Sequence, residues 1–259
     1  IVICLSLGGG SMAAVLKEMA ACPAAADLVE LRLDLIADLD LPALLRVKTR
    51  PVIVTNRRRE EGGAFDGPEE ERIGILCQAV QEGAEYVDME AATDHSLARR
   101  LFDTVTAAGK EGKRPRIIVS CHEWQGTPGE RSLRRLWRTC REKGGDIVKI
   151  VTLARRPEDN LRILSLIPYS RRRGQEIIAF AMGEPGKISR IMSLLLGAHL
   201  TYAAAAKGGE TAPGQLTCGE LQKALALLPR SREMIREQRR KGHETLMTAG
   251  RPRGDESAA

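Results

Sequence analysis

Short apolar runs rich in β-branched residues alternate along the chain with longer amphipathic stretches. The runs fall at residues 2–7, 27–34, 51–57, 84–90, 116–122, 146–151, 176–182 and 200–205, a repeat of about 30 residues. Between them, residues 11–21, 69–82, 96–108, 133–143 and 157–166 place apolar side chains at helical spacing. Eight strands alternating with helices predict a parallel sheet, and eight is the number that closes a (β/α)8 barrel. A doubly wound open sheet is the alternative. It would more often carry GxGxxG after its first strand, and Gly8-Gly9-Gly10 lacks that spacing. The expected organisation is therefore α/β: a single TIM-barrel domain over residues 1–228. A basic helical extension and a disordered polar tail are expected over 229–259.

Parallel strands are buried on both faces and usually read as continuous apolar runs. Several here do not. Glu30, Arg32 and Asp34 share one face, as do Thr55 with Arg57, Asp88 with Glu90, and Ser120 with His122. With helices covering the apolar faces, these polar side chains point into the barrel. Most lie near the C-terminal ends of their strands, where barrel active sites sit. Buried charges need partners, so Glu30, Arg32, Arg57, Asp88, Glu90 and Lys149 are expected to form one network.

Lys149 sits in the middle of Gly145-Asp146-Ile147-Val148-Lys149-Ile150-Val151. Burial disfavours its charge, and a partly neutral amine is what attack on a ketone requires. The inward arginines act in the same direction; Glu30 and Asp88 oppose them. A lone lysine at such a position more often snorkels, but the polar inner faces of the other strands favour a reactive amine. His122 faces inward one strand away and suits a proton carrier. Of the other histidines, His95 starts a helix, His199 precedes the eighth strand and His243 lies in the tail. Cys121 must face away from His122, which disfavours a Cys–His dyad. Residues 182–190 form a Gly-rich turn running into a helix, where N–H groups and an Arg190 clamp would take an anion. Residues 208–215 are placed to close over the same end. Residues 57–65, carrying Glu61-Gly62-Gly63, form a second mobile loop.

Composition narrows this picture. The chain has 259 residues, 43% hydrophobic and 3% aromatic, so the core must be built from Leu, Ile, Val and Ala. No apolar run reaches the ~18 residues of a membrane span, and the opening run is too short and lacks the basic leader of a signal peptide. Six cysteines without a CxxC pair argue for reduced thiols in a cytoplasm rather than a metal site or disulfide framework. The net charge of +6 lies largely in residues 230–241, which makes it a weak argument for nucleic acid.

Six motifs occur in order: Glu30-Leu31-Arg32-Leu33-Asp34, Thr55-Asn56-Arg57 with Glu61-Gly62-Gly63, Ser120-Cys121-His122-Glu123, Asp146-Ile147-Val148-Lys149, Ile188-Ser189-Arg190 and Ala212-Pro213-Gly214-Gln215. Together they resemble type I 3-dehydroquinate dehydratase, the Schiff-base dehydratase of the shikimate pathway, over nearly the whole chain up to about Leu228. The family fold is a (β/α)8 barrel. The resemblance implies that Lys149 forms an imine with the ketone of 3-dehydroquinate and that His122 moves protons beside it. Glu61 resembles the loop carboxylate that orients this histidine, and Arg190 the clamp for the substrate carboxylate. Glu30, Arg32, Arg57 and Gln215 resemble the groups that hold the ring hydroxyls, and Met182 the apolar wall. Thr211 stands where some members carry serine. The resemblance also implies a cytoplasmic homodimer that needs no cofactor or metal. The chain begins directly at its first strand, whereas many relatives carry residues before it that close the barrel floor. Two other readings remain open at this point. One is an aldolase-type Schiff-base lyase with phosphate at residues 183–190. The other is a nucleic-acid-binding module using residues 230–241.

Overall fold

The eight apolar runs form eight parallel strands, each close to its expected span: β1 (Ile3–Leu7), β2 (Leu28–Arg32), β3 (Val52–Thr55), β4 (Tyr86–Glu90), β5 (Arg116–Glu123), β6 (Ile147–Leu153), β7 (Glu176–Met182) and β8 (Thr201–Ala204). The computed structural model describes residues 1–109 and 114–228. The helices are α1 (Met12–Ala20), α2 (Leu41–Arg46), α3 (Glu69–Gln81), α4 (His95–Ala108), α5 (Glu130–Glu142), α6 (Asp159–Arg171), α7 (Lys187–Leu195) and α8 (Cys218–Ala226). Their starts follow capping chemistry: Ser11, Asp40 and Asp94 each accept a first-turn N–H, and Thr217 with Glu220 forms a full capping box.

Helix α6 runs past Pro168, beyond its expected end at residue 166. Tertiary contacts override the proline. Ser170 is buried, accepts from the Trp137 indole N–H at 2.8 Å and donates to the Gln175 carbonyl at 2.8 Å. Asp34 also departs from expectation. The strand ends at Arg32, and Asp34 sits on a 3₁₀ turn (Leu33–Leu35) that folds its carboxylate back.

The strands pair in the order β7-β6-β5-β4-β3-β2-β1-β8-β9, where β9 (Leu216–Thr217) is a two-residue strand beyond the expected eight. The sheet curls into a single-domain TIM barrel, and among the described residues no strand ladder joins β8 to β7. Other contacts bridge that seam. The His199 N–H donates to the Ile177 carbonyl at 2.8 Å, and the Gly183 N–H to the Pro213 carbonyl at 3.1 Å. Between them the Phe180 and Tyr202 rings meet with centroids 6.0 Å apart. Gly214 is left-handed (φ +72°), and a Cβ there would stand 2.3 Å from the Gly183 carbonyl oxygen, so only glycine lets the two turns meet.

Side-chain alternation divides the core into two. Outward residues such as Leu5, Leu31, Val54, Val119 and Ile150 pack with Ile73, Leu76, Leu101, Trp137 and Ile163 of the helices. Inward, Cys4, Leu28, Ile53, Ile118, Ile147, Ile178 and Leu200 fill the N-terminal half of the barrel. Two residues further along the same faces come Ser6, Glu30, Thr55, Ser120, Lys149, Phe180 and Tyr202. A dry apolar floor thus supports a polar layer, and charges on it interact more strongly than they would in water.

Among the described residues no helix is long and apolar enough to cross a membrane. All six cysteines are free thiols. The expected basic extension and tail over 229–259 lie outside the described residues.

Candidate active site

Lys149 stands on that floor, 4% exposed. Its Nζ donates to Asp88 Oδ2 at 2.8 Å and lies 3.6 Å from Glu30 Oε1. The Tyr202 ring faces the same nitrogen, 4.4 Å from its centroid. Arg57 bridges Asp88 and Glu90, with both ion pairs at 2.9 Å, and donates to Ser120 Oγ at 2.8 Å. Thr55 and Ser6 donate to the two Glu30 oxygens, at 2.9 and 2.5 Å. Burial alone would raise the Asp88 carboxyl, but Arg57 and then Lys149 hold it well below the usual carboxylate range.

The network differs from the expected one in two members. Arg32 pairs with Asp34 in a bidentate fork at 2.9 and 2.7 Å. Asp34 in turn accepts the Arg57 backbone N–H at 3.2 Å. Arg32 is thus tied to the network through the turn rather than through Glu30. The second difference is Arg72 of α3, which sequence reasoning missed. It is fully buried, pairs with Glu90, and donates to the Asn56 carbonyl at 3.1 Å and Thr93 Oγ1 at 2.9 Å. Arg72 lies on the helix face that buries Ile73 and Leu76, a placement legible as a charge on an apolar stripe. Arg72 is also held by the partly exposed Glu69, at 2.7 and 2.8 Å; among the buried groups, Lys149, Arg57 and Arg72 face Glu30, Asp88 and Glu90.

His122 lies on the neighbouring strand, in register with Val151, while Ser120 faces Lys149. Glu61 Oε2 accepts the His122 backbone N–H at 3.0 Å and meets ring Nδ1 at 2.9 Å. Burial, then Arg57 and Lys149, push His122 well below its ordinary value, so the ring is neutral. Burial also pushes Glu61 up to about 7. The segment bearing Glu61, expected as a mobile loop, is pinned. Its 3₁₀ turn (Arg59–Glu61) is held by Phe65 N–H to Arg57 carbonyl at 3.1 Å, Arg59 N–H to Phe65 carbonyl at 3.2 Å and Ala64 N–H to Asp34 at 3.1 Å. Cys121 packs on the outer core, away from the cavity, as alternation requires.

Across the cavity, Arg190 is wholly buried, with its guanidinium 4.5 Å from the centre of the Phe180 ring. Nη2 donates to the Pro213 carbonyl at 3.0 Å, while Nε and Nη1 have no partner. Desolvation lowers Arg190 to about 9. An unpaired buried guanidinium is costly and calls for an anion. In the turn before α7, the Gly183 N–H donates to the Pro213 carbonyl and the Gly186 N–H to the Gly183 carbonyl. The loop 208–215 covers the same end. Thr211 Oγ1 lies 2.7 Å from Ser6 Oγ, and Gln215 Oε1 accepts the Thr211 N–H at 2.8 Å.

Glu30, Arg32, Arg57, Glu61, His122, Lys149, Met182, Arg190, Thr211 and Gln215 all line one cavity. Gly62, Trp124, Val151, Phe180, Tyr202 and Ala212 line it as well. Val151, Phe180 and Tyr202 share the inward parity of Lys149, Met182 and Leu200, so alternation alone would have found them. Among the described residues, no cluster of three or more His, Cys, Asp or Glu could hold a metal ion.

Fold and site together define a (β/α)8-barrel enzyme whose cavity sets a buried lysine against a histidine and an unpaired arginine. The family model for type I 3-dehydroquinase matches residues 3–232. A 3-dehydroquinate dehydratase from Desulfotalea psychrophila is 33% identical over 230 residues, covering 88% of this chain and 98% of its own length. One from Methanopyrus kandleri is 39% identical over 209 residues, covering 78% of this chain and 88% of its own. The solved 3-dehydroquinate dehydratase of Geobacillus kaustophilus superposes with a TM-score of 0.76 at 26% identity, over 88% of this chain and 90% of that one. The chain belongs to the type I 3-dehydroquinase family.

The charge balance yields a stability test. Arg72→Met would leave three buried carboxylates facing two cations. Removing one partner of a buried pair costs about 3–5 kcal/mol. Denaturant unfolding should show a loss of that order, partly recovered in the Arg72→Met/Glu90→Gln double variant. Strictly additive losses would mean that Arg72 and Glu90 are not coupled.

Proposed function

We propose that this chain dehydrates 3-dehydroquinate to 3-dehydroshikimate and water through an imine on Lys149. One observation carries the reading: the Lys149 amine and the Arg190 guanidinium, whose Nε and Nη1 have no partner, face one cavity. A substrate bearing both a ketone and a carboxylate would bridge them, and the relatives named above are enzymes of such a substrate.

In this reading the free Lys149 amine bonds to the ketone carbon, and the oxygen departs as water with one proton from the amine and one from solvent, the latter given back when the final iminium is hydrolysed. The product is a positively charged iminium, flanked by Asp88 and Glu30. An iminium is a stronger electron sink than a carbonyl, so the neighbouring C–H becomes acidic. His122 takes that proton through Nε2, because Nδ1 is engaged by Glu61. The C–H electron pair moves into an enamine. The enamine expels the adjacent hydroxyl, which leaves as water with the proton returned by His122, and water then hydrolyses the iminium to free Lys149. Glu30, Arg32, Arg57, Thr211 and Gln215 hold the ring hydroxyls, Met182 supplies an apolar wall, and Arg190 holds the carboxylate. No cofactor or metal enters this scheme. The proposal includes a homodimer, checked by sedimentation velocity, and a cytoplasmic location, checked by fractionation.

Borohydride added with 3-dehydroquinate should leave a stable adduct on Lys149, located by peptide mass analysis. Turnover without an adduct would overturn the imine. Lys149→Ala should reduce kcat on the order of 10⁴-fold or more, the scale of losing a covalent nucleophile. His122→Ala should lose about 10²–10⁴-fold and let the trapped imine accumulate.

The pH profile tests the Glu61–His122 pair. Ionised Glu61 holds the Nδ1 proton and makes the ring a better base; protonated Glu61 does not. The active form, Glu61 ionised and His122 neutral, is populated above about 7 and lost as pH falls below it. The kcat/KM profile should show an acid limb near that value, and Glu61→Gln should abolish the limb. A limb unchanged in Glu61→Gln would assign it to another group.

A further inference from the structure

Trp124 lies two residues beyond His122 and lines the cavity beside Glu61 and Gly62. Its indole rests directly on Gly62. A Cβ at Gly62 would stand 2.0 Å from Trp124 Cζ2 and 2.3 Å from Cε2, so no side chain fits between backbone and ring. Gly62 is left-handed (φ +78°) and ends the turn that carries Glu61. On the other side, a Cβ at Gly63 would stand 1.9 Å from the Arg57 carbonyl oxygen. Two glycines are therefore held between the indole and the end of β3, with Glu61 immediately before them. Trp124 is 36% exposed, so part of the indole meets water while its ring lies against Gly62.

We infer that Trp124 is a positioning residue: its indole clamps the Gly62 turn and screens the Glu61 carboxylate from water, and so sets the protonation of the Glu61–His122 pair. The charged groups that face Glu61 are Arg57, two residues beyond β3, and Asp88 and Glu90 from β4, with His122 of β5 bonded to it. Lys149 from β6 and Arg32 from β2 act through His122. The thiols of Cys121 and Cys140, raised by burial, stay neutral. None of these groups changes when one neutral side chain replaces the indole. The variant therefore reads water access and geometry alone. Burial is the largest cause of the raised Glu61 carboxyl, so admitting water must lower it.

The decisive measurement is a pH titration of the His122 ring by NMR in the free, ¹⁵N-histidine-labelled protein. It needs no substrate and so stands apart from the dehydratase reading; only the kinetic arm rests on that reading. Trp124→Ala should move the titration reported by His122 down by about one pH unit, and the acid limb of kcat/KM should move with it. Trp124→Phe should restore both. Trp124→Leu, which keeps an apolar side chain in place, serves if the alanine variant does not fold, and should give an intermediate shift. An unchanged titration in a folded Ala or Leu variant would overturn the inference. A shifted titration in protein that never turns over 3-dehydroquinate would leave Trp124 in its role and remove the dehydratase reading.

Discussion

Three cations and three carboxylates face one another inside this barrel, on a floor of Ile, Leu and Cys side chains. The rest of the site depends on their balance. In such a medium an unmatched charge is costly, and Arg57 can serve Asp88 and Glu90 together only because Arg72 also takes Glu90. The Arg72 guanidinium also ties the ends of β3 and β4 together, through the Asn56 carbonyl and Thr93. Charge balance and strand placement are thus one constraint. It fixes Lys149 at 2.8 Å from Asp88 without filling the space above it.

Arg190 is the deliberate exception. Every other buried cation of the cavity has a carboxylate partner, whereas Arg190 has an aromatic face and one carbonyl. An unpaired buried guanidinium costs stability, and that cost is what the proposed carboxylate of the substrate would offset. The aromatic pair at the β7–β8 seam serves two of the cations that line the cavity. Phe180 lies against Arg190 and Tyr202 against Lys149. The place where, among the described residues, the sheet lacks a ladder is therefore where Lys149 and Arg190 are seated on π faces.

Much of this was legible in the chain because side-chain alternation on a strand is strict. Glu30, Arg57, Asp88, His122 and Lys149 read as inward before any coordinates, and they are inward. The same parity placed Cys121 outside. What was not legible came from elements without such a rule. Asp34 was read as strand, but a 3₁₀ turn carries it back onto Arg32. Arg72 arrives from a helix through tertiary packing that no local pattern specifies. The seam is bridged by two aromatic side chains and a glycine contact between distant turns, and β9 is two residues that pair with β8. Local spacing does not encode which turns will meet.

The surroundings of Lys149 bear on the proposed imine. Asp88 lies 2.8 Å and Glu30 3.6 Å from its nitrogen, and the Tyr202 ring faces it at 4.4 Å. In the proposed scheme these groups stabilise the positive charge of the iminium once the nitrogen is bonded to substrate. Without the two carboxylates that charged intermediate would be the weaker one. The arrangement therefore matches the charged states of the scheme. That match suits chemistry whose difficult event is breaking a carbon–hydrogen bond.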